Sequence, residues 1–343
     1  MKGLVAALAF LMVVASPLSA QPGGHFERVK VYGPALLGNL EGDDPVRDVS
    51  VYLPPGYQQN TDKRYPVVYL LHGYTDSDER WFGLRGEHFV NVPRAMDAAW
   101  AAGAKEMIIV MPNAFTRYQG SMYSSSVTTG DWEAYVARDL VTYIDNHYRT
   151  LVRRESRGIA GHSMGGYGAL RIGMKYPGVF AALYAMSPCC MAPNMHPSIE
   201  QMTTAAQVQT QGQIDAAPFG IKAMLASAAA WSPNPIKGPL YYDLPVKDGE
   251  VQPDIVALWA ANAPLAMVHQ YIPALKSYQA LHLDAGDQDV GINATVHELD
   301  GILDAYDIPH VAEEYPGDHV NRIEERLSSK LMPMFSSSLV FEQ

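Results

Sequence analysis

The chain has 343 residues, 48% hydrophobic and 18% charged, with 28 glycines, 24 prolines and a formal net charge of −11. That composition excludes a disordered or fibrous chain and leaves enough apolar material for a substantial core. The acidic balance, without a basic cluster, excludes a nucleic-acid partner held through phosphate contacts.

The opening MKGLVAALAFLMVVASPLSA carries one early lysine, a short apolar run, then Pro17 and small residues. This pattern predicts a secretory signal peptide over 1–20, cleaved after Ala20, and a secreted or periplasmic mature protein over 21–343. The apolar run is too short for a comfortable bilayer span, and no later stretch reaches spanning length. FERVKV (26–31) and RDVSVYLP (47–54) alternate like half-buried strands. YPVVYLLHG (65–73) and EMIIVMP (106–112) are continuous apolar runs, as in strands covered on both faces. Helices are expected over 88–102 and 131–148. They are followed by the strand RGIAGHS, the helix MGGYGALRIGMKY and the strand FAALYAMSP (180–188).

The alternation stops at about residue 190, where Met, Ala, Gln and Pro dominate up to about 275. It resumes with SYQALHLDAG (277–286), a helix over 293–306, PHVAEEYPG (309–317) and a last helix over 320–335. Strand–helix alternation on this scale predicts an α/β fold, a mostly parallel central sheet flanked by helices. The interrupted stretch reads as a cap insertion in a single domain. The adjacent Cys189 and Cys190 are expected to be free. Their Cα atoms would stand about 3.8 Å apart, against roughly 4.4–6.8 Å for a relaxed disulfide.

Chemistry collects at the carboxyl ends of the strands in such sheets. There GIAGHSMGGYGALRIG (158–173) places Ser163 in a G-x-S-x-G turn between strand and helix, the pattern of a nucleophile elbow. A serine nucleophile needs a base, and the base an acid to fix its tautomer. Among eleven histidines, His319 lies in the loop after the last strand, where the base belongs. His162 should point from the serine into the core, and His72 should serve positioning. Asp284, Asp287 and Asp289 compete for the acid. Asp284 sits near the strand end, where it could shape the turn, and Asp287 at a solvated tip, so Asp289 is favoured. The oxyanion donors are expected to be the backbone N–H groups of Met164 and Tyr74.

VVYLLHGY, GHSMGGYGAL, LDAGDQD and YPGDHVNR together resemble the esterase D group of α/β hydrolases. That group includes feruloyl and acetylxylan esterases, S-formylglutathione hydrolases and mycolyltransferases. The resemblance extends over residues 25–335 and implies an α/β-hydrolase fold, a Ser163–His319–Asp289 triad and oxyanion donors at Tyr74 and Met164. The implied activity is a serine carboxylic-ester hydrolase. An acyltransferase of the mycolyltransferase type would use the same residues, and a non-catalytic hydrolase-like binding protein would usually lack part of the triad. No metal or cofactor is implied, since neither a H-E-x-x-H pattern nor a phosphate loop occurs. Export favours carbohydrate-linked feruloyl or acetyl esters as substrates. Trp81, Phe82, Tyr123 and Trp132 near the site, and Trp231, Tyr241 and Tyr242 in the cap, are candidates to contact the substrate.

Overall fold

The computed structural model describes residues 23–193 and 198–342, so the expected signal peptide lies outside the described residues. One eight-stranded sheet runs through the molecule. Its strands are β1 (His25–Tyr32), β2 (Val46–Leu53), β3 (Val67–Leu71), β4 (Ile108–Pro112), β5 (Arg157–His162), β6 (Ala182–Met186), β7 (Ala280–Gly286) and β8 (Val311–Tyr315). The spatial order is β1-β2-β4-β3-β5-β6-β7-β8. Only β2 runs against its neighbours β1 and β4; the other pairs are parallel. The expected fold class therefore stands.

Every residue of β3, β4, β5 and β6 is buried, which is why β3 and β4 read as unbroken apolar runs. The pleat sends successive side chains to opposite faces. Tyr69 and Leu71 join Ile159 and Leu183 on one face, beneath Tyr167 and Leu170 of the helix Met164–Lys175. Val68 and Leu70 join Ala160 and Tyr184 on the other face. There Met96 of the helix Val92–Ala101 and Phe335 cover them.

Two expected helices are less regular than their periodicity suggests. The stretch expected over 131–148 contains a π-helical segment, Tyr135–Leu140, between Trp132–Ala134 and Val141–His147. The last helix begins at Ile323, three residues late, passes through a π segment at Leu327–Leu331 and reaches Ser338. Its start is delayed because Asp318 accepts the N–H groups of Val320 and Asn321, each at 2.8 Å, holding 318–321 as a turn.

Between β6 and β7 the chain forms helices Ile199–Ala206, Gln211–Ala216, Phe219–Trp231 and Pro253–Ala261, with a small hairpin of Val246–Lys247 and Glu250–Val251. Capping boxes start the first two: Ser198 with Gln201, and Thr210 with Gln213. This layer has its own apolar cluster, including Met202, Ile214, Leu225 and Tyr242. It is fastened to the loops after β4: Tyr118 Oη donates to Leu240 O at 2.6 Å, Ser126 Oγ to Ala229 O at 2.6 Å and Thr128 Oγ1 to Tyr241 O at 2.6 Å. Among the described residues, no helix is long and apolar enough to cross a membrane.

Candidate active site

Ser163 follows β5 directly, with φ 56° and ψ −116°, a backbone that L-residues seldom adopt. Two glycines permit the turn. A Cβ on Gly161 would strike the backbone of Gly165, and one on Gly165 would strike the carbonyl of Leu71 at the end of β3. The elbow is held on both sides: Ser163 N–H donates to Met186 O at 3.0 Å, and Cys189 N–H donates to Ser163 O at 3.1 Å. The serine is half-exposed and opens the helix Met164–Lys175.

The loops after β7 and β8 bring the other two residues to it. His319 Nε2 lies 3.0 Å from Ser163 Oγ, and Nδ1 lies 2.6 Å from Asp289 Oδ2. A carboxylate accepts only, so Nδ1 carries the proton and Nε2 is left to accept from the hydroxyl. The two loops lock each other. Asp287 Oδ1 accepts Gly317 N–H at 3.0 Å, and Gln288 N–H donates to Gly317 O at 2.9 Å. Asp287, expected only to be solvated, is exposed but anchors the loop that carries His319.

Asp284 plays a different part from the turn residue the sequence suggested. It is fully buried and accepts from Arg326 Nε and Tyr184 Oη, each at 2.7 Å. Burial pushes its carboxyl upward while Arg326 opposes that shift. Arg326 in turn stacks 4.0 Å from the Tyr315 ring, so Asp284 ties β7 to the last helix beneath the site.

Met164 N–H belongs to the first turn of its helix, whose amides have no intrahelical acceptor. Tyr74 stands beside Met164: a Cβ added to Gly120 would fall 2.5 Å from the Tyr74 ring and 2.7 Å from Met164 Sδ. The Tyr74 loop is pinned by Thr75 N–H donating to Gln119 O at 3.0 Å, with Thr75 and Gln119 both at positive φ. His72 is fully buried. Its Nδ1–H donates to Gly73 O at 2.8 Å while Nε2 accepts Ala114 N–H at 2.9 Å. Both ring nitrogens are thus used, burial lowers its pKa, and a neutral imidazole holds the turn in front of Tyr74.

The aromatic candidates lie elsewhere than expected. Trp81 is completely buried; its indole N–H donates to Asp76 at 3.0 Å. Phe82 packs in the core against Phe26, and buried Trp132 donates to Thr129 O at 2.8 Å. Tyr123, also completely buried, turns edge-on to His72. Trp231 packs against Tyr167 and Trp259 and donates to Ser124 Oγ at 3.2 Å. Trp81, Tyr123 and Trp231 are therefore core residues whose polar atoms the protein itself engages, and they offer no free face to a substrate. Tyr242 lines a cavity of about 330 Å³ among the helices between β6 and β7, whose walls include none of Ser163, Asp289 or His319.

Sequence reasoning passed over Phe219, which is 65% exposed with its ring 5.6 Å from that of Tyr74. It also did not foresee that His162 reaches the backbone of His319. No periodic signal marks either one, because both depend on partners distant in sequence. Cys189 and Cys190 are free, with their sulfurs 2.7 Å apart. Among the described residues, no group of three potential metal ligands occurs.

Residues 44–323 match the family model described as "Putative esterase". Esterase Rv1288 of Mycobacterium tuberculosis is 35% identical over 136 residues, 39% of this chain and 27% of that protein. An endo-1,4-beta-xylanase/feruloyl esterase of Xylanibacter ruminicola is 29% identical over 144 residues, 41% of this chain and 19% of that protein. The aligned segments thus span about a quarter and a fifth of these relatives. A solved ferulic acid esterase superposes with a TM-score of 0.62 at 23% identity, covering 92% of this chain and 98% of the other. The match over residues 44–323 and the superposition over 92% of the chain show that the chain belongs to this esterase family and has the α/β-hydrolase fold.

Proposed function

We propose that the protein is a serine carboxylic-ester hydrolase working through an acyl-enzyme. The observation that carries this reading is the continuous chain Ser163 Oγ–His319–Asp289, with contacts of 3.0 and 2.6 Å, mounted on a strained elbow. Ser163 Oγ attacks the ester carbonyl as His319 Nε2 takes its proton. Asp289 holds the Nδ1–H tautomer and stabilises the imidazolium. The N–H groups of Met164 and Tyr74 receive the oxyanion, where the helix N-terminus adds favourable charge. His319 returns its proton to the departing alcohol, and water then repeats the sequence to release the acid.

The substrate class we propose is a carbohydrate-linked feruloyl or acetyl ester met outside the cytoplasm. Its support is the composition of residues 1–20 and the printed names of the relatives. Ser163→Ala tests the mechanism. Turnover of methyl ferulate and 4-nitrophenyl acetate should fall on the order of 10⁶-fold with an unchanged melting curve. More than about a tenth of wild-type activity in the purified variant would overturn the reading.

A further inference from the structure

His162 adjoins the nucleophile on β5 but faces the other side of the strand. Its ring is 2% exposed, wedged between Trp81 and Phe89 at centroid distances of 6.1 and 5.9 Å. The ring of His319 lies 4.7 Å away on a third side, tilted by 44°. Nε2 of His162 stands 2.8 Å from the carbonyl oxygen of His319. A carbonyl can only accept, so Nε2 carries the hydrogen and Nδ1 does not. Nδ1 is buried without a hydrogen-bond partner among the described residues. The titratable groups facing this ring are His319, Asp76 and His88. Burial and the neighbouring His319 push its pKa down to about 3, which leaves the imidazole neutral at working pH.

We infer that His162 is a positioning residue, tethering the backbone of the catalytic base to the strand that carries the nucleophile. The inference rests on the triad reading above. Asp289 and Ser163 grip the imidazole of His319 at its two nitrogens, but neither fixes the main chain behind it. The loop over 316–322 leaves β8, an edge strand with mostly accessible residues. Its other anchors, Asp287 and Gln288, belong to the loop after β7. Among the described residues, the hydrogen bond from His162 ties the main chain of His319 to β5. Because His162 and Ser163 are consecutive, the separation of base and nucleophile is set across one peptide unit and one hydrogen bond. Trp81, held by Asp76, acts as the packing wall that stops the imidazole from rotating away.

The experiment replaces His162 by Leu, Gln and Asn and measures kcat, KM and melting temperature with one ester, beside Ser163→Ala. Leucine keeps the bulk and loses the donor, and glutamine presents an amide N–H near the place of Nε2. The shorter asparagine cannot reach the carbonyl. H162L should lose about 10–100-fold, the scale for a displacement near 1 Å, in kcat with KM little changed. H162Q should recover most of that loss, and H162N should not. Wild-type kcat in H162L, or equal kcat in H162Q and H162N, overturns the inference. If H162L does not fold, the Gln and Asn pair still decides. An inactive S163A beside a fully active H162L would sink the tether alone, whereas an active S163A would sink the triad itself.

Discussion

Replacing Gly165 by alanine sets two physical effects against each other. Gly165 lies in the first turn of the helix Met164–Lys175, where helix propensity alone favours alanine by about 1 kcal/mol. The new Cβ, however, would sit 1.9 Å from Leu71 O and 2.9 Å from His72 O, both backbone atoms. Neither can rotate away, so the helix start must retreat from the end of β3 by about 1 Å, the size of shift for which overpacked cores lose about 1–3 kcal/mol. The helix start also carries Ser163 and Met164 N–H, and an error near 1 Å there costs about 100-fold in rate. The expected result is therefore a melting temperature a few degrees lower and kcat/KM for 4-nitrophenyl acetate reduced about 100-fold. Differential scanning fluorimetry and steady-state kinetics on the same preparation measure both. An alanine variant that melts higher than wild type and keeps its kcat/KM would refute the close-approach argument.

Glu41 is 3% exposed, and burial, aided by Asp43, raises its pKa to about 10. The native state then keeps a proton that the unfolded chain releases above about pH 4.5, so stability should fall as pH rises from there toward 10. Glu41→Gln should flatten that fall, with a larger gain in melting temperature at pH 8.5 than at pH 5; equal gains would show that the carboxyl is ionised in the fold. Trp231→Ala should cost about 3–5 kcal/mol as a core truncation. The methyl ferulate to methyl acetate ratio of kcat/KM should move less than about twofold, since a tenfold change is what a pocket contact would give. A tenfold change of that ratio with an unaltered melting curve would return Trp231 to the substrate pocket.

What was legible in the sequence followed the range of the interactions involved. β3 and β4 announce themselves because burial on both faces favours an unbroken apolar run. The elbow is equally local: Gly161, Ser163 and Gly165 encode one turn. Asp289 and His319 could be found because their strands precede them in order. Asp284 could not be assigned its part, since its partner Arg326 is 42 residues away on a helix. The aromatic residues misled for a similar reason. Trp81 and Tyr123 follow strand ends, as substrate contacts often do, but only the path of the loops decides that they turn inward. Their indole and phenol groups then find Asp76 and the His72 carbonyl, satisfying polar atoms in the interior.

The hydrogen bonds from Tyr118, Ser126 and Thr128 into the cap bear on how such proteins can be recombined. The contacts run from side chains of the β4 loops to main-chain carbonyls at Leu240, Ala229 and Tyr241. A main-chain acceptor is present whatever side chain stands there, so residues of the cap can diversify without loosening its seat. The other half of each joint is specific, and Tyr118 also receives the Tyr74 hydroxyl at its own carbonyl. A cap from a relative grafted over 198–276 should therefore seat only together with residues 116–131. The transplantable unit is discontinuous in the chain: it is the layer over 198–276 plus the loop that grips it.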